Sequence, residues 1–338
     1  MFERDHGDSG ARWRDVATMV IHRGSVVCGT SVSLKPMPKA PRRPPQLRGR
    51  VFRGSIAVSG GLLTRNDLRS SAWRPLFRDV YADAQVDVTH TIRCAAIGRW
   101  LVPPGSAIAG RAAAGLYGCA SPAANEPVDV LIPTATRVGR ITGLRIHSGE
   151  VDPGDILDRG GVRVTSPART CWDLACWLDV IEAVVVIDAM LARRLTTVPV
   201  LREYALSRAG RRGWRSLLRA VDLADAGAES PQESRTRVRL VLAGLPRPQT
   251  QWVVAEQGRF VARLDLAWPQ FRVAVEYDGL WHDDVEQIHR DRRRLNRLLG
   301  GDWIVLHVTA KRLREDFDGF LAEVRAALRA RSRSLRPR

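Results

Sequence analysis

The stretch FVARLDLAWPQFRVAVEYD, residues 260–278, decides how the C-terminal third of this chain is read. It contains two apolar runs of strand length, joined at Pro269-Gln270, and each run alternates along its length. In the first, Phe260, Ala262, Leu264 and Leu266 fall on one face, with Val261, Arg263, Asp265 and Ala267 on the other. In the second, Ala274, Glu276 and Asp278 share a face. With Pro269-Gln270 as the turn, Trp268 faces Phe271, Leu266 faces Val273 and Asp265 faces Ala274. Asp265 and Glu276 are then diagonal neighbours on one sheet face, about 7–8 Å apart at the backbone. Two carboxylates so placed repel each other, and desolvating both is costly unless a cation lies between them. Oxygen ligands of this kind suit Mg2+. A slip of one residue would put the two acids on opposite faces. The plain alternative is a solvent-washed sheet surface, against which the apolar flanking residues argue.

Upstream, Ser230 and Pro231 open a helix that ends near Gly244, and Glu233 is its third residue. Ser-x-x-Glu is capping-box spacing, so capping and cation binding compete for the Glu233 carboxylate. Downstream, Gly279 permits a sharp turn that carries His282 back over the strand ends, where an imidazole is suited to activate water. A helix over 283–299 follows, with Arg290, Arg292 and Arg293 available for phosphates, and then a strand over 303–308 and a helix over 314–328.

The rest of the chain supports a nucleic-acid partner. Its 338 residues carry a formal net charge of +17, which favours a polyanion. Only three of the 53 basic residues are lysines (Lys35, Lys39 and Lys311), a bias that coding preference also explains. The five cysteines (Cys28, Cys94, Cys119, Cys171 and Cys176) include no pair with the two-residue gap of a zinc knuckle. A reducing cytoplasm is the expected location. The N-terminus reads as no signal peptide, and the apolar run 180–191, broken by Glu182 and Asp188, is too short to span a membrane.

Four regions are expected. Residues 1–45 form a basic, Pro-rich disordered tail. Residues 46–85 form a helix-turn-helix with a short strand pair, and Arg65, Arg69 and Arg74 are its candidate phosphate contacts. Here a helix is expected over 48–58, with Thr64 capping a second one. Residues 86–226 form a mixed middle section with helices over 91–101 and 107–117 and strands over 128–132, 141–147 and 162–165. Ser166-Pro167 then starts a long helix. His147 and Asp152 read as structural or surface residues there. Residues 225–231 are the best linker, and 228–332 form the final α/β unit.

The order helix with Glu233, strand with Asp265, strand with Glu276, then helix resembles the PD-(D/E)XK nuclease superfamily, and most closely its very-short-patch-repair-like (Vsr-like) endonuclease domain. The motifs are Leu264-Asp265-Leu266, Val275-Glu276-Tyr277-Asp278-Gly279 with His282, Arg290-Asp291-Arg292, and Trp303-Ile304-Val305-Leu306. The resemblance implies a three-layer restriction-endonuclease-like α/β fold with Asp265, Glu276 and Asp278 toward Mg2+. It also implies Glu233 as an outer ligand or water-holder and His282 as the base. The superfamily's usual lysine two residues past the second acid is Asp278 here.

The region 46–117 resembles the AbiEi-type antitoxin regulators through Gly61-Leu62-Leu63-Thr64-Arg65, the run Trp73 to Tyr81, and Gly110-Arg111-Ala112-Ala113-Ala114. That resemblance implies a winged helix on DNA and leaves a toxin or other protein partner open. Two functions follow: a Mg2+-dependent DNA endonuclease, or an antitoxin-like DNA-binding regulator whose nuclease fold is inactive. RNA is a third, weaker partner.

Overall fold

The computed structural model describes residues 40–278 and 302–334. Sheet formation begins with Val51–Arg53 (β1), whose Phe52 is buried, and the chain turns directly into Gly54–Ser59 (α1). The helix expected over 48–58 is therefore a strand followed by a short helix. Gly54 explains the turn, because a Cβ there would meet the Tyr81 ring at 2.6 Å. Thr64 and Asp67 cap each other, but the turn they hold is only the 3-10 segment Asp67–Arg69. Trp73–Phe77 (β2) and Val80–Asp83 (β3) complete a sheet of order β1-β3-β2, with Pro75 on an edge strand where its missing N–H is tolerated.

The chain just before this sheet is anchored from Arg43, which was expected to lie within the disordered tail. Pro45–Leu47 forms a 3-10 turn and Arg43 pairs with the buried Asp83. The remainder of that tail, before residue 40, lies outside the described residues. Asp83 also accepts the N–H groups of Gly49 at 2.8 Å and Gln85 at 3.1 Å. Burial pushes its carboxyl up, but Arg43 and these two N–H groups outweigh it and hold it at about 2. Since the folded value lies below the unfolded one, the stabilisation is complete above about pH 4 and lost as pH falls through about 2. Chemical denaturation near pH 5 and near pH 2.5 should therefore show Asp83→Asn costing markedly more stability at the higher pH. Equal costs at both would contradict this assignment.

The middle section forms a five-stranded mixed sheet of order β6-β5-β4-β8-β7. His90–Trp100 (α2) leads into Ala107–Ile108 (β4) and Gly110–Leu116 (α3), so the helix expected over 107–117 begins as a strand. Val128–Pro133 (β5), Leu144–Gly149 (β6), Ile156–Asp158 (β7) and Arg163–Thr165 (β8) follow. A helical layer then begins with Pro167–Trp177 (α4), whose first turn is capped by Ser166 accepting from the Arg169 N–H, as its sequence implies. It continues with Val180–Ala192 (α5), Val198–Leu206 (α6) and Trp214–Leu223 (α7). The apolar faces of α4 to α7 enclose one core around Cys171, Ile187, Met190, Leu201 and Leu217.

Residues 225–231, expected to be a linker, are fixed to their neighbours. The Asp225 N–H donates to Asp188 at 2.7 Å, and Asp225 in turn accepts from Thr250 at 3.0 Å. Gly227 is required by the close approach of Thr250, whose Oγ1 would lie 2.2 Å from a Cβ there.

Pro231–Leu242 (α8) spans two cores, with Val238 in the α4–α7 cluster and Leu240 beneath the last sheet. That sheet has the order β12-β11-β10-β9, built from Gln249–Glu256 (β9), Arg259–Trp268 (β10), Val273–Asp278 (β11) and Ile304–Thr309 (β12). Strands β9, β10 and β11 are antiparallel in succession, while β12 lies parallel to β11. Ala310–Glu315 (α9) and Phe317–Ser334 (α10) pack Leu313, Phe320 and Val324 against Trp268, Val273 and Val275. The described protein is thus mixed α/β, with several sheets. No helix among the described residues is long and apolar enough to cross a membrane.

Candidate functional site

The β10–β11 connection is longer than Pro269-Gln270. Pro269–Phe271 makes a 3-10 turn and Arg272 takes a left-handed conformation with φ 51° before β11 begins. The register is consequently Leu266↔Val275, Ala267↔Ala274 and Trp268↔Val273, two residues away from the one expected. A two-residue shift preserves parity, so Asp265 and Glu276 still share a face. The register, continued by one step past its last pair, sets 265 opposite 276 rather than diagonal to it. Both are half-buried.

Cross-strand pairing of β10 with β11 stops at Leu266↔Val275. Beyond it, the Tyr277 N–H donates to the Asp265 carboxylate at 2.9 Å. A side chain thus takes a place that a strand carbonyl fills in a continuous ladder, and the two strands part where the acids stand. β11 meanwhile stays paired with β12 through Asp278↔Thr309.

Glu233 reaches this point from α8 through an intermediary. It is 7% exposed, and its Oε2 accepts the Glu229 N–H at 3.0 Å and the Gln251 amide at 2.9 Å. The Ser230 side chain accepts from the Glu233 N–H at 3.2 Å, so capping and site-building use the same residue. The Gln251 amide also lies 3.5 Å from Asp265, a long contact that sets Gln251 between the two acids. Gln251 adopts φ 52°, uncommon for a residue other than glycine, and its amide oxygen is buried without a hydrogen-bond partner among the described residues. The amide nitrogen faces the two carboxylates and the oxygen of the same amide is left unpaired; carboxylate and amide oxygens are hard donors of the kind that suit a divalent cation.

Asp278, expected toward the cation, lies 3.0 Å from the His307 ring nitrogen. In the parallel register Glu276 is opposite His307, so the polar row extends onto β12. Among the described residues, no three His, Cys, Asp or Glu side chains are gathered closely enough to hold a metal ion. The cation-binding set they offer is the Asp265–Glu276 pair with Gln251. His282, Arg290, Arg292 and Arg293 lie outside the described residues.

Gln251 and His307 were not singled out from sequence. For Gln251 a signal existed: the strand-forming run Trp252 to Ala255, followed by Gln257-Gly258 and the alternating run from Phe260, marks a hairpin. Both turn residues have positive φ, 49° and 76°. For His307 there was none, since one histidine in an apolar strand gives no sign of its neighbour on the next strand.

At the other end of the protein, Arg65, Arg69 and Arg74 are all exposed around the first sheet, and Arg74 also bonds the Val86 carbonyl.

No family model matches this chain, and no solved structure matches it. Two curated proteins of Mycobacterium tuberculosis are similar to it: the uncharacterized protein MT2308 of strain CDC 1551 / Oshkosh and the uncharacterized protein Rv2248 of strain H37Rv. Each is 29% identical over 239 residues, which covers 70% of this chain and 85% of the relative.

Proposed function

We propose that this chain is a DNA-binding protein whose C-terminal α/β unit is a cation-dependent endonuclease-like domain of the Vsr-like PD-(D/E)XK kind, and that it hydrolyses phosphodiester bonds. The observation that carries this reading is the position of Asp265 opposite Glu276 at the place where β10 and β11 part. The order helix, three antiparallel strands, then a strand parallel to the third also supports it. Asp265 and Glu276, with the Gln251 amide oxygen, would hold Mg2+. When bound, Mg2+ supplies Lewis acidity toward a phosphoryl oxygen and lowers the pKa of a coordinated water. Gln251 keeps Glu233 and Asp265 from repelling each other and fixes both rotamers. Glu233, anchored through its own helix cap, would accept a hydrogen bond from the attacking water.

In the N-terminal unit, the succession strand, helix, 3-10 turn, strand, strand supports a winged helix-turn-helix. Arg65, Arg69 and Arg74, exposed on it, would be its phosphate contacts. The net charge of +17 suits a sequence-independent grip on DNA. One observation favours the regulator reading: the superfamily's lysine position is Asp278, which is engaged by His307.

Incubating the full chain with supercoiled plasmid separates the two readings. The endonuclease reading expects open-circular product with Mg2+ and none with EDTA. DNA binding that is indifferent to Mg2+, with the plasmid intact across linear, supercoiled and mismatched substrates, would establish the regulator instead.

A further inference from the structure

We propose that the cleft between α4, β6 and the α6–α7 connection is a binding site for a nucleoside phosphate, separate from the carboxylate pair on the last sheet. Its volume of about 530 Å3 falls within the range of small-molecule sites.

Three features of its lining point to that ligand class. Trp172 and Trp177 of α4 form an aromatic wall suited to a planar ring. The Trp177 ring is held by parallel stacking on His147, with centroids 3.5 Å apart, and His147 is anchored 3.0 Å from Asp129. His147 thus has a structural role, as its isolated place in the sequence suggested, with partners that the sequence did not reveal. The start of α7 is pressed against this wall, since a Cβ on Gly213 would meet the Cys176 sulfur at 2.2 Å and the Trp172 ring at 3.3 Å.

The rim is cationic. Arg211 lies there, paired to Asp152 at 2.8 Å and Glu150 at 3.2 Å. Arg212 beside it is exposed and makes no ion pair among the described residues. A phosphate suits an uncommitted guanidinium with a second one adjacent.

The third feature is Asp173, which lines the cleft and is 1% exposed. One of its carboxylate oxygens accepts from Arg169 at 2.9 Å, while the other is buried with no partner among the described residues. A buried polar atom left unpaired is unfavourable, and an N–H or O–H on a ligand relieves it. Burial pushes the Asp173 carboxyl up to about 7 despite Arg169 beside it. Near neutral pH it therefore serves a ring edge as either acceptor or donor. Aromatic wall, edge-reading carboxyl and guanidinium rim together match a base and its phosphate, whereas neither phosphate alone nor a nucleoside alone uses all three.

Calorimetric titration of the full chain with ATP, GTP, CTP and UTP tests this, with inorganic phosphate and the four nucleosides as separate arms. At least one triphosphate should bind in the micromolar range, and phosphate and nucleosides at least tenfold more weakly. Arg212→Ala, an exposed change that leaves the core untouched, should weaken that binding about tenfold, and so should Asp173→Asn. Three results would each overturn the proposal: no triphosphate binding up to millimolar concentration, binding unchanged in Arg212→Ala, or phosphate alone binding as tightly as the triphosphates.

Discussion

Asp265→Asn should reduce Mg2+-dependent plasmid nicking by roughly 1,000-fold while leaving the protein folded. The asparagine oxygen can still accept the Tyr277 N–H, which Asp265 now holds at 2.9 Å, so the strand junction survives. What disappears is one negative charge at the point where the two strands part. Losing about 4 kcal/mol of transition-state stabilisation, of the order a catalytic cation contributes, corresponds to about a factor of 1,000. Glu276→Gln should fall to a similar level, and the double variant little further, because both carboxylates serve one cation. Stability measured by denaturation should change by only about 1 kcal/mol in each single variant. Nicking that persists in Asp265→Asn would rule out the carboxylate pair as the catalytic site, whatever the protein's affinity for DNA.

The second large effect concerns how the candidate nuclease unit is joined to the middle helices. Asp188 on α5 is 1% exposed and Arg237 on α8 is fully buried, and they pair at 2.6 Å. Asp188 also accepts the Ser234 hydroxyl at 2.6 Å and the Asp225 N–H at 2.7 Å, while Arg237 bonds the Leu223 carbonyl. Breaking one partner of such a pair strands the other charge without water, at a cost of about 3–5 kcal/mol. Arg237→Met should therefore lower unfolding stability by about that much, a large part of what a domain of this kind possesses. Asp188→Leu combined with Arg237→Met should recover much of the loss, since the unpaired charge is then gone. A cost below about 1 kcal/mol for the single variant would show that the pair is not buried in solution. Because α8 also carries Glu233, the single variant should weaken nicking as well.

Parity carried most of what was legible about the site. The alternation in residues 260–278 placed Asp265 and Glu276 on one face, and that survived a turn two residues longer than Pro269-Gln270 implied. The turn itself was not legible, because Arg272 in a left-handed conformation leaves no compositional mark. The Ser166-Pro167 and Ser230-Pro231 helix starts were legible, since capping is a local interaction. The β1 and β4 segments were misread for the opposite reason. Their short apolar runs fit either helix or strand, and pairing with β3 and with β5 and β8 decided the matter. The same non-locality hid His147, whose partners Asp129 and Trp177 lie 18 and 30 residues away in the chain. It hid the tethering of residues 225–231 as well, which rests on Asp188 and Thr250.

In the proposed mechanism, Asp265 and Glu276 together hold a catalytic divalent cation. The most direct test is anomalous diffraction from a crystal of the full chain soaked in Mn2+, a close substitute for Mg2+ at oxygen ligands. An anomalous peak is expected within bonding distance of a carboxylate oxygen from each of Asp265 and Glu276, and should be lost in Asp265→Asn. A fully soaked crystal with no peak at these carboxylates, or with its peak elsewhere and unaffected by that substitution, would contradict that mechanism.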